Sequence, residues 1–185
     1  MKENRYKTVS SSQVTVTELM IPAYANFGGK IHGGILLSLM DKVAYVCASK
    51  HAEGYCVTVS VDGVDFLAPV DVGDLVSLHA AVHYVGRSSM LIGIRVVAEN
   101  VVTGAVKHTN TSYFTMVAKG EDEKPREVPG LILESDYEVR KFLEGMQRRD
   151  LKNHYKEQLR SLHARLETND DATALAVERC QVRIK

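Results

Sequence analysis

Two hydrophobic periods alternate along the chain between Gln13 and about Ala118. Val14-Thr15-Val16-Thr17 has the two-residue period of a half-buried strand. The stretch Pro22-Ala23-Tyr24-Ala25-Asn26-Phe27-Gly28-Gly29-Lys30 is rich in residues that break regular structure and reads as a loop. Gly33-Gly34 then opens a predicted helix running to about Lys50. Its apolar positions, Ile35, Leu36, Leu39, Met40, Val43 and Val46 among them, cover nearly the whole circumference, which predicts burial on most sides. Four extended segments follow, from Val57 to Leu67, Leu75 to Val85, Met90 to Glu99 and Val106 to Val117. The segments between them, around Pro69-Val70-Asp71-Val72-Gly73-Asp74, Gly86-Arg87-Ser88-Ser89 and Thr103-Gly104, read as turns.

Long strands joined by short turns predict a strongly curved antiparallel meander. One apolar helix and one long sheet then make an α+β layer arrangement in which the sheet wraps the helix. Beyond it, Lys119-Gly120-Glu121-Asp122-Glu123-Lys124-Pro125-Arg126 is a charged linker with a proline stop. Glu134 to about Glu167 reads as a second helix, with Leu151, Tyr155, Leu159, Leu162 and Leu166 forming a stripe. The stripe is expected to pack on the parent domain or a neighbouring subunit, since it is too short for a sustained coiled coil. The last residues, around Asn169-Asp170-Asp171, are expected to be disordered. Residues 10–119 thus form the expected domain and 120–185 a linker and helical tail.

Composition narrows the function classes. The chain has 185 residues, 45% hydrophobic and 25% charged, which suits one globular domain with an appendage. Lys+Arg and Asp+Glu both number 23. With no basic excess, neither nucleic acid nor an anionic membrane is an expected partner. The first residues are charged and lack the apolar core of a secretion signal, and no stretch approaches the ~20 apolar residues of a membrane helix. Cys47, Cys56 and Cys180 form no close CxxC pair, so free thiols in a reducing cytoplasm are expected.

The residue that demands explanation is Asp41, set among Leu39, Met40, Val43 and Ala44 on the apolar helix. A carboxylate there is paired with a cation, lies on a polar seam with Ser38, or is functional. Asn26 precedes the helix with glycines at 28, 29, 33 and 34 around it. Asn is common in turns and glycine lets the chain turn tightly. Unpaired amides at a helix N-terminus can also receive a developing oxyanion. Seven residues separate Gly34 from Asp41, roughly 10 Å of helix rise, so one carbonyl cannot touch both in a single chain. A carboxylate from a second subunit resolves this.

Asn26-Phe27-Gly28-Gly29-Lys30-Ile31-His32-Gly33-Gly34 followed by Leu39-Met40-Asp41 resembles the signature of hotdog-fold acyl-CoA hydrolases of the cytosolic, brain type. Thr58-Val59-Ser60-Val61-Asp62 with Phe66, and Gly86-Arg87-Ser88-Ser89-Met90, fit the same family, so the resemblance covers Val14 to Val117 and extends to the charged C-terminal helix. It implies a hotdog fold and hydrolysis of acyl-CoA to a fatty acid and coenzyme A. It also implies a homo-oligomer, a dimer or a trimer of dimers, with Asp41 as the catalytic carboxylate and Asn26 its partner across the interface. Gly33 and Gly34 would polarise the thioester carbonyl, and Arg87, Ser88 and Ser89 would meet the coenzyme A phosphates or pantetheine. Taken alone, that last group is an ordinary polar hairpin turn. Thr58 and Ser60, on one strand face, would line the entrance to the acyl pocket or serve as routine strand hydroxyls.

Other polar residues receive plainer readings. His32 is expected to pack, Asp62 and Asp65 to be structural or rim residues, and Cys47 to be core. His79 and His83 lack companion ligands, so no metal is expected, and no cofactor beyond the coenzyme A of the substrate. A hotdog dehydratase or hydratase using His32 with Asp41 is the alternative chemistry, and a non-catalytic acyl-CoA-binding module the alternative outside enzymes.

Overall fold

The computed structural model describes residues 6–168 and 179–181, so the expected disordered end around Asn169 lies outside the described residues. The elements are β1 (Tyr6–Thr8), β2 (Val14–Leu19), a 3-10 turn (Pro22–Tyr24), α1 (Gly33–Ala52), β3 (Cys56–Asp62), β4 (Asp74–Val85), β5 (Ser89–Asn100), β6 (Val106–Ala118), β7 (Gly130–Ile132) and α2 (Asp136–Thr168). Five of the strands form one sheet in the order β2-β4-β5-β6-β3, antiparallel throughout, and β1 pairs with β7 in a small parallel sheet.

The expected meander holds only for β4, β5 and β6. Strand β3 crosses to the far edge and pairs with β6, because the connection from Gly63 to Gly73 is no hairpin. That connection passes the start of α1: Leu67 N–H donates to Thr109 O at 2.8 Å and Ile31 N–H to Val70 O at 2.9 Å. Strand β3 also ends at Asp62, short of the predicted Leu67.

The inner face of the sheet presents alternate apolar residues, Val76, Leu78, Ile92, Ile94, Phe114 and Met116, all fully buried against α1. The helix answers with Leu36, Met40, Val43, Ala44, Cys47 and Ala48, spaced three and four apart along one face. Its opposite face leaves Leu37, Tyr45 and Val46 exposed at 39–42%. The expectation of burial on most sides is therefore corrected for the single chain. One sheet covers one side of a helix, and apolar residues on the other side need another surface.

The chain divides into two compact units, the first ending at Gly145 and the second starting at Met146. The first extends past the expected boundary at 119, because the charged segment folds back on the domain. Lys119 and Pro125 form an isolated bridge, and Arg126 donates to the Ala52 carbonyl at the end of α1. Val128 is buried in the core, and the buried His51 meets Pro129 O through Nε2 at 2.9 Å. The first turns of α2 reach the outer face of the sheet, where Tyr113 Oη donates to Glu144 at 2.8 Å and Phe142 packs 5.0 Å from Tyr84. Of the predicted stripe on α2, Leu151, Tyr155 and Leu162 are exposed.

Candidate active site

The loop before α1 is a small hairpin. Ala25 and Ile31 bridge, and Asn26 N–H donates to Lys30 O at 2.7 Å. Gly29 sits at φ 75°, a conformation that costs glycine little. The side-chain oxygen of Asn26 accepts Gly28 N–H at 2.8 Å and Lys30 N–H at 3.2 Å, which settles which end of the carboxamide is oxygen. The Nδ2 group is thereby turned away from its own loop and donates to no described residue of the chain.

His32 caps α1. Its backbone is extended, and its Nδ1 accepts the Gly34 N–H at 2.8 Å. A cap is more than the packing role expected for it, and it occupies one of the two amides expected to polarise a carbonyl. The Gly33 N–H keeps no described partner. Phe66 lies over that glycine, so close that a Cβ at position 33 would meet the ring at 3.1 Å.

Two turns further along α1, Asp41 stands on the face the sheet leaves uncovered. Thr58 Oγ1 donates to Asp41 Oδ1 at 2.6 Å. Met116 Sδ is 3.2 Å from the same hydroxyl, but one proton serves one acceptor, and the carboxylate is the stronger. The second carboxylate oxygen has no described partner. Asp41 is thus neither ion-paired nor buried: it is oriented by one hydroxyl and open at Oδ2.

Ser60 does not share a face with Thr58, contrary to expectation. A bulge at Val59 pairs Thr58 with Met116 but Ser60 with Thr115, consecutive residues on opposite faces of β6. Thr58 faces α1, and Ser60 faces away. The Gly86-Arg87-Ser88-Ser89 turn is held by Ala118 N–H to Ser88 O at 3.0 Å and Val128 N–H to Arg87 O at 3.0 Å. It lies at the end of the sheet where α1 finishes, while the Asn26 loop lies where α1 begins. The 20-residue helix between them spans about 30 Å. Arg87 is exposed, and its guanidinium pairs with no described residue.

The remaining candidates settle into structural places. His79 bonds Thr15 at 3.0 Å and His83 lies against Gly93 and the Tyr113 ring. Among the described residues, no group of three or more His, Cys, Asp or Glu could hold a metal ion. Burial pushes the Cys47 thiol up to about 12, far from a nucleophile's range. A cavity of about 510 Å³ opens on the outer face of the sheet beside His79, Arg95, Tyr113 and Tyr137, and none of Asn26, Asp41 and Thr58 lines it.

Three comparisons with known proteins place the chain in a family. The family model described as Thioesterase superfamily matches residues 28–105. An uncharacterized acyl-CoA thioester hydrolase of Bacillus subtilis is 33% identical over 158 residues, 85% of this chain and 92% of that protein. This chain belongs to the hotdog-fold acyl-CoA thioesterases. The structure of an apo-hexameric acyl-CoA thioesterase matches with TM-score 0.80 and 34% identity over 82% of this thioesterase and 97% of that chain. The acyl-CoA hydrolase of Staphylococcus aureus, solved with butyryl coenzyme A and coenzyme A, matches with TM-score 0.78 and 30% identity, covering 88% and 99%. Three further structures of the Staphylococcus aureus enzyme carry alanine at an asparagine, an aspartate and a threonine. Those three stand fifteen and seventeen residues apart, the spacing of Asn26, Asp41 and Thr58 in this thioesterase.

Sequence reasoning passed over two groups at this site. The contact of Phe66 on Gly33 needs the β3–β4 connection to pass the helix start, which no local pattern shows. Lys30 and Asp71 form an ion pair across that same connection, and their only sequence signal is opposite charge at long separation.

Proposed function

We propose that this thioesterase hydrolyses acyl-CoA to a free fatty acid and coenzyme A at sites shared between subunits. The observation that carries the reading is the Asp41 carboxylate, fixed by Thr58 at 2.6 Å with its second oxygen open. In this mechanism Oδ2 takes a proton from a water molecule, and the resulting hydroxide adds to the thioester carbonyl carbon. Gly33 N–H and the Asn26 carboxamide donate to the oxyanion that forms. Collapse breaks the C–S bond, and the coenzyme A thiolate leaves and takes up the proton held by Asp41. A thiolate is a good leaving group, so no separate strong acid is required.

The sharing of the site rests on geometry. Asp41 lies roughly 10 Å along the helix from the glycine amides, too far for one carbonyl to reach both in one chain. The face of α1 that carries Asp41 also exposes Leu37, Tyr45 and Val46, and the edge strand β3 exposes Val59 and Val61. An apolar face of this kind fits a second copy of the chain. The same assembly offers Arg87, Ser88 and Ser89 to the coenzyme A phosphates from a subunit other than the one supplying Asn26. We propose the dimer as the unit that completes each site and a trimer of dimers as the whole. Cys47 and Cys56 are free thiols, which fits the cytoplasmic location we propose.

The dehydratase alternative loses ground on His32, whose Nδ1 is committed to the helix cap. Release of thiol from acyl-CoA in the presence of a thiol dye tests the activity. Asp41→Asn is expected to lose turnover while still folding and binding coenzyme A. Unchanged kcat in that variant removes Asp41 from the mechanism.

A further inference from the structure

Behind the Asn26 loop lies a chain of four charges that the mechanism above does not use. Lys30, in the loop, pairs with Asp71 Oδ1 on the β3–β4 connection, and their backbones form a β-bridge. Asp71 Oδ2 also meets Lys107 Nζ at 3.1 Å. Lys107 Nζ is 3.1 Å from Asp74 Oδ2, and Asp74 is almost wholly buried. The Asp71 N–H closes the set by donating to Asp74 Oδ2 at 3.0 Å. Two acids and two bases balance. The hydrogen bonds from Lys30 and then Lys107 hold the Asp71 carboxyl below its ordinary range, so it remains ionised at neutral pH.

Lys30 is also the residue whose backbone grips Asn26 on both sides. Its N–H donates to Asn26 Oδ1 at 3.2 Å and its carbonyl accepts Asn26 N–H at 2.7 Å. The Gly28 N–H holds the same oxygen at 2.8 Å, so the Lys30 backbone shares the hold on the Asn26 carboxamide. We infer that Asp71 is a positioning residue: backed by Lys107 and the buried Asp74, it fixes Lys30 and so sets the direction in which Asn26 presents its Nδ2 group. This rests on the reading of Asn26 as a participant in catalysis. The pair contributes little to the fold itself, because the Lys30 and Asp71 side chains are 51% and 41% exposed. The loop remains anchored through the buried Ile31 and the Ile31-to-Val70 hydrogen bond when the pair is cut.

The test is a kinetic double-mutant cycle on the full chain with a saturable acyl-CoA, using Asp71→Ala, Asn26→Ala and the two combined, with melting temperature measured for each. Asp71→Asn repeats the removal of charge with less change in shape. A misplaced carboxamide is expected to lower kcat by about ten- to a hundredfold in Asp71→Ala, with KM little changed and melting within a few degrees. Asp71→Glu recovers part of the loss. The combined variant is no slower than Asn26→Ala alone, because Asp71 acts through Asn26. A kcat unchanged by cutting Asp71 overturns the inference, and so do losses that multiply in the combined variant. Full turnover in Asn26→Ala instead overturns the role given to Asn26, a result read from that single variant alone.

Discussion

Replacing Thr58 with valine removes the hydroxyl that orients Asp41 and almost nothing else. The two side chains have nearly the same shape, and the flexible Met116 side chain, whose Sδ is 3.2 Å from the hydroxyl, must shift slightly to admit a methyl group. The lost bond is an O–H to carboxylate contact of 2.6 Å, in the short range expected when the acceptor is charged. Hydrogen bonds to charged groups contribute about 1.5–3 kcal/mol. If that energy serves to hold Oδ2 toward the attacking water, kcat falls by about ten- to a hundredfold, at about 1.4 kcal/mol per tenfold. KM is expected to stay near the wild-type value, because the Thr58 hydroxyl is committed to the carboxylate. Thr58→Ser keeps the donor and should retain most of the rate. The assay is the initial rate of thiol release across a range of acyl-CoA concentrations. A kcat within twofold of wild type in Thr58→Val refutes the orienting role, and a raised KM with intact kcat assigns Thr58 to substrate binding instead.

Two further outcomes are expected. Arg87→Ala should raise KM for acyl-CoA by about tenfold, the loss of one charge-assisted phosphate contact, and leave kcat nearly intact; a fall in kcat alone contradicts the assignment. His51 is held below its ordinary pKa by burial, against the opposing pull of the Pro129 carbonyl. Its neutral form belongs to the fold, so its stabilising contribution is complete above about pH 6.5 and is lost as pH falls from there through the depressed value. The melting temperature of wild type should drop more steeply between pH 7 and 5 than that of His51→Gln, and equal slopes refute this.

Asp41 stood out because a carboxylate inside an apolar helical run violates the pattern around it, though the pattern left it open whether the residue is paired, on a polar seam, or functional. The loop motif was legible through its resemblance to a known family, whereas the bond from Thr58 to Asp41 was not, since it joins a strand to a helix. Where each strand pairs was not legible either, because pairing depends on segments far apart in the chain. Strand β3 went to the far edge of the sheet, and β1 and β7 found each other across 120 residues of separation or more. The Val59 bulge was equally hidden, since alternation reads the same with or without an extra residue, yet it decides that Thr58 and Ser60 point to opposite sides. Periodicity overstated the burial of α1 for a physical reason as well. An apolar residue left exposed, such as Leu37 or Val46, looks the same in sequence as one that packs on its own sheet.

Mixing two impaired variants tests the shared site directly. Subunits carrying Asp41→Asn and subunits carrying Asn26→Ala are unfolded together and refolded, or co-expressed, and the assemblies are assayed for thiol release. In a mixed dimer, an intact Asn26 from one chain meets an intact Asp41 from the other, so about a quarter of the wild-type activity per site returns on random pairing. No recovery above the two parents, in assemblies proven to be mixed, contradicts a site built from two chains.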